Sequence, residues 1–252
     1  MRYVLLVSYD GTHFCGFQKQ KKERTVQSEL ERAAFEIFGA ETKVAGSGRT
    51  DAGVHAEGQV CHLDAETNIP AEKLRECFNR ILPPDLRVLK SAAAPEGFDC
   101  TRSAKRKTYC YSFYFAESEL PLLERYAVRI KEKPDLERMQ RAAVLIEGEH
   151  DFKAFCASGS SAKTSVRTVY SVRLTERGGL YEIRITGNGF LYNMVRIIAG
   201  ELIAVGCGKE EAITAAFESG ERKALAKTMP AKGLRLVEAE YGVKLFETAS
   251  EE

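Results

Sequence analysis

The chain has 252 residues, enough for one large domain or two of medium size, and its 44% hydrophobic and 29% charged residues are typical of an ordinary globular protein. This composition excludes collagen-like, coiled-coil and intrinsically disordered proteins. Lysine and arginine number 37 against 36 acidic residues, so the net charge of +1 gives no global field that would attract a polyanion. A nucleic-acid site would therefore need local clusters of basic residues.

The seven cysteines lie at wide and irregular spacings, and none of them forms a CxxC pair. We therefore expect neither a disulfide framework nor a metal centre, and we expect the reducing environment of the cytoplasm. Every apolar stretch is interrupted by a charge before it reaches the roughly 18 residues that a membrane-spanning helix needs. No membrane association is expected.

Hydrophobic periodicity in the first half predicts the order β-α-β-β-α-β. The first helix should begin after Thr25 as its N-cap and end at Gly39, and the pair Pro83-Pro84 should end the second helix. Strands are expected at residues 2–9, 43–48, 59–63 and 86–92, and helices at 26–38 and from 70 onward.

The same order is predicted again in the second half, apart from one additional short helix. A Gly178-Gly179 turn predicts a hairpin, and Tyr109, Tyr111 and Phe113 alternate along one strand. Strands are expected at residues 107–116, 166–174, 180–186 and 234–241, and helices at 135–147, 191–205 and 210–217.

Two copies of this unit predict an α+β fold of two duplicated ferredoxin-like (βαββαβ) subdomains, whose antiparallel or mixed sheets form a central RNA-binding cleft. The expected division is an N-terminal subdomain, residues 1–100, a C-terminal subdomain, residues 101–246, and an acidic tail, residues 247–252. This topology hosts many functions, so it does not by itself identify one.

A glycine-rich segment between Gly46 and Gly58 contains the most informative candidate residue. Such glycine density indicates tight turns or close approach of the backbone to a ligand. Within it, Asp51 is flanked by Arg49, Thr50 and His55 and is the best candidate for a carboxylate with a tuned chemical role. The alternative is an Asp that only forms a local Asx turn.

Arg196 is the second candidate, because it interrupts a strongly apolar helix. It could face a groove and pair with a carboxylate from the other half, in which case Asp51 would be held ionised, or it could extend its head to the solvent. Basic runs at residues 19–24 and 102–107, the second next to the aromatic strand, suit contacts with phosphates and bases. Each run could equally be a solvated surface.

Several segments together resemble the TruA family of tRNA pseudouridine synthases, in order and over residues 2 to about 242. The resemblance has two departures: Phe17 stands where Trp is frequent, and the approach to the last strand at residues 228–230 is unusual. The matching segments are Tyr9-Asp10-Gly11-Thr12, Gly16-Phe17-Gln18, Gly48-Arg49-Thr50-Asp51-Ala52-Gly53-Val54-His55-Ala56, Tyr109-Cys110-Tyr111, His150-Asp151-Phe152, Val166-Arg167-Thr168, Met194-Val195-Arg196 and Lys232-Gly233-Leu234.

This resemblance implies an enzyme that isomerises uridine to pseudouridine at positions 38, 39 and 40 of the tRNA anticodon stem-loop, without a metal or other cofactor. It implies that Asp51 is the catalytic aspartate, that Tyr109 stacks on the uracil, that Arg49 supports the backbone of a flipped nucleotide, and that Arg196 pairs with Asp51. It also implies a homodimer that binds tRNA. The alternatives are a non-catalytic RNA-binding module and a different lyase or hydrolase with an aspartate base.

Overall fold

A computed structural model describes residues 1–160 and 162–246 of the chain. It is a mixed α+β fold that divides into two compact units, one formed by Met1–Lys105 together with the chain from Leu236 onward, the other by Arg106–Arg235. The expected division after residue 100 stays a prediction; in the structure the last strand packs, from Leu236, with the first unit. The predicted acidic tail at 247–252 lies outside the described residues.

The strands and helices follow the predicted order, with two additional short strands. The strands are β1 (Arg2–Tyr9), β2 (Val44–Gly46), β3 (His55–Asp64), β4 (Leu86–Ala93), β5 (Ala104–Phe115), β6 (Val128–Ile130), β7 (Gly148–Asp151), β8 (Val166–Arg177), β9 (Leu180–Gly187) and β10 (Leu234–Tyr241). The helices are α1 (Val26–Phe38), α2 (Leu74–Ile81), α3 (Leu136–Val144), α4 (Met194–Gly206) and α5 (Ile213–Ser219). Single turns of 3-10 helix occur at Gly11–His13, Ala71–Lys73, Phe152–Phe155, Arg222–Ala224 and Ala231–Gly233.

The sheet of the first unit is built around β1, which pairs antiparallel with β3 on one side and with β4 on the other. Strand β2 extends this sheet beyond β3. Helix α1 starts with a capping box between Thr25 and Ser28 and ends at Gly39 in the left-handed conformation, as predicted. Its apolar stripe is fully buried from Val26 through Leu30 to Ala33 and Ala34, and partly buried at its C-terminal end.

Phe98 and Cys100, in the segment that follows β4, form a small core with Val4 of β1 and Val60 of β3. Phe98 lies 5.1 Å from the ring of Tyr241, whose hydroxyl donates to the carbonyl of Cys100 at 2.8 Å. Burial raises the pKa of the Tyr241 hydroxyl above its usual range. The end of the described chain is therefore held on the first unit.

The second unit has the strand order β5-β9-β8-β7, all antiparallel, with β6 added in parallel to β5. Strands β6 and β7 have only three and four residues, which is too short for the period-two alternation that predicts strands. Helix α4 is apolar around almost its whole circumference, and nearly all of its residues are buried, as is typical of a helix packed on all sides. Among the described residues, no helix is long and apolar enough to cross a bilayer.

Helix α4 contains two charged residues, Arg196 and Glu201, and the side chain of Glu201 is completely buried. Its carboxylate accepts from the backbone N–H of Ala226 at 2.7 Å and of Ala212 at 3.3 Å, and Lys209 Nζ lies 3.2 Å away. These donors compensate the loss of hydration. The Glu201 carboxylate thus attaches two points of the chain that follows α4, Ala212 and Ala226, to the helix.

We expect Glu201→Ala to lower the free energy of unfolding by about 3 kcal/mol, because it removes the acceptor of two partly buried backbone donors and the partner of Lys209. Glu210→Ala removes an exposed carboxylate from the same region and should change stability by less than about 0.5 kcal/mol. Chemical denaturation of both variants measures the difference. Equal stabilities would contradict a structural role for the buried carboxylate.

Candidate active site

The loop that contains Asp51 connects β2 to β3, and its beginning is fixed by Gln59. The Gln59 amide donates to the carbonyl of Gly48 at 2.6 Å and accepts from the hydroxyl of Ser47 at 2.5 Å. Both side chains are fully buried. The glycine-rich segment is therefore an ordered loop at this end.

The chain from Tyr9 to Phe17 holds the middle of this loop at Thr50. The Tyr9 hydroxyl lies 2.8 Å from the Thr50 hydroxyl, and the N–H of Phe17 donates to the Thr50 carbonyl at 3.1 Å. Thr50 and Tyr9 are both buried. Since Thr50 immediately precedes Asp51, these contacts fix the backbone that carries the carboxylate.

The other side of Asp51 is fixed by a turn. The N–H of Val54 donates to the Asp51 carbonyl at 3.1 Å, and the N–H of Gly53 donates to Phe14 at 3.2 Å. Gly53 has a φ of +78°, in the left-handed region that glycine enters without strain. The backbone is thus held on both sides of Asp51, whose side chain is partly exposed.

Two glycines of the N-terminal segment are required by this packing. A Cβ at Gly11 would lie 2.0 Å from the carbonyl oxygen of Val54, and a Cβ at Gly16 would lie 2.6 Å from that of Thr50. Gly16 also has a φ of +82°. Both residues belong to segments that carry the family resemblance, and two glycines soon after a strand are the signal in the sequence that indicates such a close approach.

His55 is held by the same segment. Its Nδ1 accepts from the N–H of Gly11 at 3.0 Å, which requires a ring proton on Nε2, since a backbone amide can only donate. Asp10 Oδ1 lies 3.2 Å from the same nitrogen and accepts from the N–H of Thr12 at 3.0 Å. The same ring nitrogen of His55 therefore contacts both Gly11 and Asp10. His55 is a buried support of the loop.

The basic run at residues 19–24 is largely used inside the first unit. Arg24 forms two hydrogen bonds of 2.8 Å with Asp85 and lies 4.1 Å over the ring of Phe14, and Lys19 lies 2.8 Å from Glu31. The guanidinium holds the pKa of the Asp85 carboxyl below its usual range. Arg24 therefore secures the segment that packs on the Asp51 loop. Lys21 and Lys22 lie exposed between Lys19 and Arg24.

The other predicted site residues are found in both units. Arg49 is exposed and belongs with Asp51 to the first unit. Tyr109, in the second unit, is 8% exposed, and its ring meets that of Phe190 edge-on at 5.2 Å. Tyr111, one of its neighbours in the predicted aromatic stripe, is fully buried, so it lies in the core and cannot stack on a base.

Arg196 lies in the first turn of α4, in the second unit, and is half-buried. Its Nη1 donates to Asn193 Oδ1 at 2.6 Å and its Nε donates to the carbonyl of Met229 at 2.7 Å. The N–H of Met229 donates in return to the Arg196 carbonyl at 3.2 Å. These bonds fix the direction of the guanidinium, so Arg196 is not a mobile surface side chain.

No group of three or more His, Cys, Asp and Glu side chains that could hold a metal ion occurs within residues 1–160 and 162–246. The cysteines expected to be reduced are all free thiols in the structure. Cys61 is fully buried, and burial raises the pKa of its thiol well above the usual range.

Comparison with known proteins identifies the class. The family model described as "tRNA pseudouridine synthase" matches residues 5–101 and 142–242. The proteins named tRNA pseudouridine synthase A from Acetivibrio thermocellus and Caldicellulosiruptor bescii are 44% and 42% identical to the chain over 244 residues, 96% of this chain and 100% of each relative. The protein of that name from Shouchella clausii is 44% identical over 250 residues, covering 97% of this chain and 95% of the relative.

The chain belongs to the tRNA pseudouridine synthase family. It is accordingly an isomerase that acts on tRNA, and the alternative of a non-catalytic RNA-binding module is not supported. A solved structure described as a Cbf5-Nop10-Gar1 complex is 12% identical and covers 93% of this chain and 58% of that chain at a TM-score of 0.38, a similarity that carries no argument.

The contact of Gly16 with the loop yields a test with an internal control. Gly16→Ala should lower the rate of isomerisation by roughly 100-fold, because its Cβ would displace Thr50 and with it the neighbouring carboxylate. Gly39→Ala has a similar positive φ of +70° with open space around the Cβ, so it should cost about 1 kcal/mol of stability and leave the rate unchanged. Single-turnover rates on tRNA measure both, and equal rates would contradict the proposed constraint.

Proposed function

We propose that this enzyme converts uridine to pseudouridine at positions 38, 39 and 40 of the tRNA anticodon stem-loop, with Asp51 as the catalytic residue. The observation that carries this proposal is the Asp51 loop. Its backbone is fixed on both sides of a partly exposed carboxylate, in the segment that the resemblance marks as catalytic. Catalysis by a positioned carboxylate requires such fixed geometry.

The reaction breaks the bond from uracil N1 to ribose C1′, turns the uracil and forms a bond from C5 to C1′. The C5 proton leaves and N1 gains a proton, so atoms are neither added nor removed. An ionised Asp51 has three possible roles: attack on C1′, attack on C6, or removal of a ribose proton. Each role needs the same carboxylate, and the structure favours none of them.

The substrate nucleotide has to leave the base stack before it can react. Arg49 is proposed to hold the opened phosphate backbone, and its exposure next to the buried Thr50 supports this role. Tyr109 is proposed to stack on the uracil, and its edge-on contact with Phe190 keeps the ring in one orientation. These roles are carried over from the resemblance.

A duplicated ferredoxin-like architecture, with a cleft that binds the RNA, is the proposed finer description of the fold. In the first unit, the element order β1-α1-β2-β3-α2-β4 and the strand order β4-β1-β3-β2 support it. In the second unit, β8 and β9 form the corresponding hairpin and α3 and α4 the two helices. A homodimer in the cytoplasm remains part of the same proposal, and the free cysteines are consistent with a reducing compartment.

The assignment of Asp51 is tested by pseudouridine mapping of unmodified tRNA incubated with the native chain and with Asp51→Asn. The native chain should modify positions 38 to 40, and the variant should bind tRNA with unchanged affinity while modification falls below detection, because an amide cannot act as nucleophile or base. Glu66→Gln makes the same exchange at an exposed carboxylate and should retain full activity. Modification by Asp51→Asn would overturn the catalytic role, and modification elsewhere would overturn the substrate position.

The proposed pairing of Arg196 with Asp51 has a signature in the pH profile. A guanidinium next to the carboxylate lowers its pKa, so Arg196→Gln should raise the pKa of Asp51 and move the acidic limb of the rate profile to higher pH. Single-turnover rates between pH 4 and 8 measure this shift, with Arg138→Gln as the control. A uniform loss of rate with an unmoved limb would contradict the pairing.

A further inference from the structure

We propose that the β8–β9 part of the second unit's sheet, on the side of Arg173 and Arg184, is a second RNA-binding surface, which holds the sugar–phosphate backbone of a tRNA segment other than the target nucleotide. The inference rests on the proposed function only for the identity of the RNA. We name this surface the arginine face and define it by Arg106, Tyr170, Arg173 and Arg184, with the hydroxyl residues between them. Nothing in the proposed active site uses these side chains.

The register of the sheet places two arginines side by side. Arg173 on β8 lies directly opposite Arg184 on β9, and Arg184 lies opposite Cys110 on β5. Directly opposite side chains in an antiparallel pair are about 5 Å apart, and like charges there repel each other. A pair of cross-strand arginines therefore costs stability unless an anion lies over them.

The protein does not supply that anion. Within the described chain, neither Arg173 nor Arg184 pairs with a carboxylate, whereas Arg235 on the neighbouring part of the sheet lies 2.7 Å from Glu182. The other acid that the register places on this side, Glu149, accepts from the Thr168 hydroxyl at 3.5 Å. Arg173 is exposed and Arg184 is half-buried, so both guanidiniums are available to a ligand.

The side chains around this pair suit RNA. Ser171 and Thr186 lie opposite each other, and the Thr186 hydroxyl is 2.9 Å from that of Thr108. Arg106 lies 4.7 Å over the ring of Tyr170, which is 43% exposed. Hydroxyls and arginines are common donors to phosphate, and an exposed ring covered on one side by a guanidinium can stack on a base.

This surface is separate from the proposed uracil contact. Side chains alternate between the two sides of a strand, so Tyr109 points away from the side shared by Thr108 and Cys110. The ring of Tyr109 meets that of Phe190 on its own side of the strand, whereas Cys110 lies opposite Arg184 on the other side. An RNA strand on the arginine face is therefore a different segment from the nucleotide that Tyr109 is proposed to hold.

The test compares a double variant, Arg173→Gln with Arg184→Gln, with a matched control, Arg138→Gln with Arg141→Gln on α3. Both remove two arginines from the second unit. Dissociation constants for a full-length unmodified tRNA and for its isolated anticodon stem-loop are measured between 50 and 200 mM salt. The arginine-face variant should bind full-length tRNA roughly tenfold more weakly, with the slope of log K against log salt reduced by about 2, and bind the stem-loop as the native chain does.

The control should bind both RNAs as the native chain does. Unchanged tRNA affinity and salt slope in the arginine-face variant would overturn the proposal, as would equal weakening for the stem-loop. Light scattering of both variants identifies another occupant: a dimer lost only on replacing Arg173 and Arg184 would make this face an interface between copies and overturn RNA binding. Pseudouridine mapping of the native chain is scored separately, so absence of modification at positions 38 to 40 would reject the proposed function without deciding this surface.

Discussion

The fixed position of Thr50 is the constraint on which the candidate active site depends. Its hydroxyl and its carbonyl are both held by the chain from Tyr9 to Phe17, and the residue that follows is Asp51. The approach is so close that Gly11 and Gly16 leave no space for a side chain. The Asp51 carboxylate lies on a loop, but contacts with the end of β1 and the chain after it fix its backbone as firmly as that of a strand residue.

Electrostatic pairing secures this arrangement from outside the loop. Arg24 binds Asp85 through two hydrogen bonds and covers Phe14, so the N-terminal segment is attached to the start of β4 as well as to the loop. Bidentate pairs of this kind have defined geometry as well as energy. Arg173 and Arg184 differ from Arg24 in this respect: they lie opposite each other, and the described chain provides neither of them with a carboxylate partner.

Patterns within a single element could be predicted from the sequence. The cap at Thr25, the end of α1 at Gly39 and the hairpin at residues 178–179 follow from local rules about side chains and φ, and the structure confirms them. Strands β6 and β7 could not be predicted, because three or four residues are too few to show a period. Family membership could be predicted because several motifs occurred in one order.

The partners of charged and aromatic residues could not be predicted, since they lie far away in the sequence. The run at residues 19–24 has the composition of an RNA contact, yet Arg24 is committed to Asp85, 61 residues further along. Tyr111 has the spacing of an exposed stacking residue, yet its side chain is fully buried, its hydroxyl donates to the carbonyl of Pro230, and burial raises the pKa of that hydroxyl. Composition indicates which residues can contact RNA, and only the tertiary contacts decide which of them remain available. By that criterion Arg49, exposed beside the buried Thr50, and Arg173 and Arg184, which pair with no carboxylate of the described chain, are among the charges that the fold leaves for a substrate.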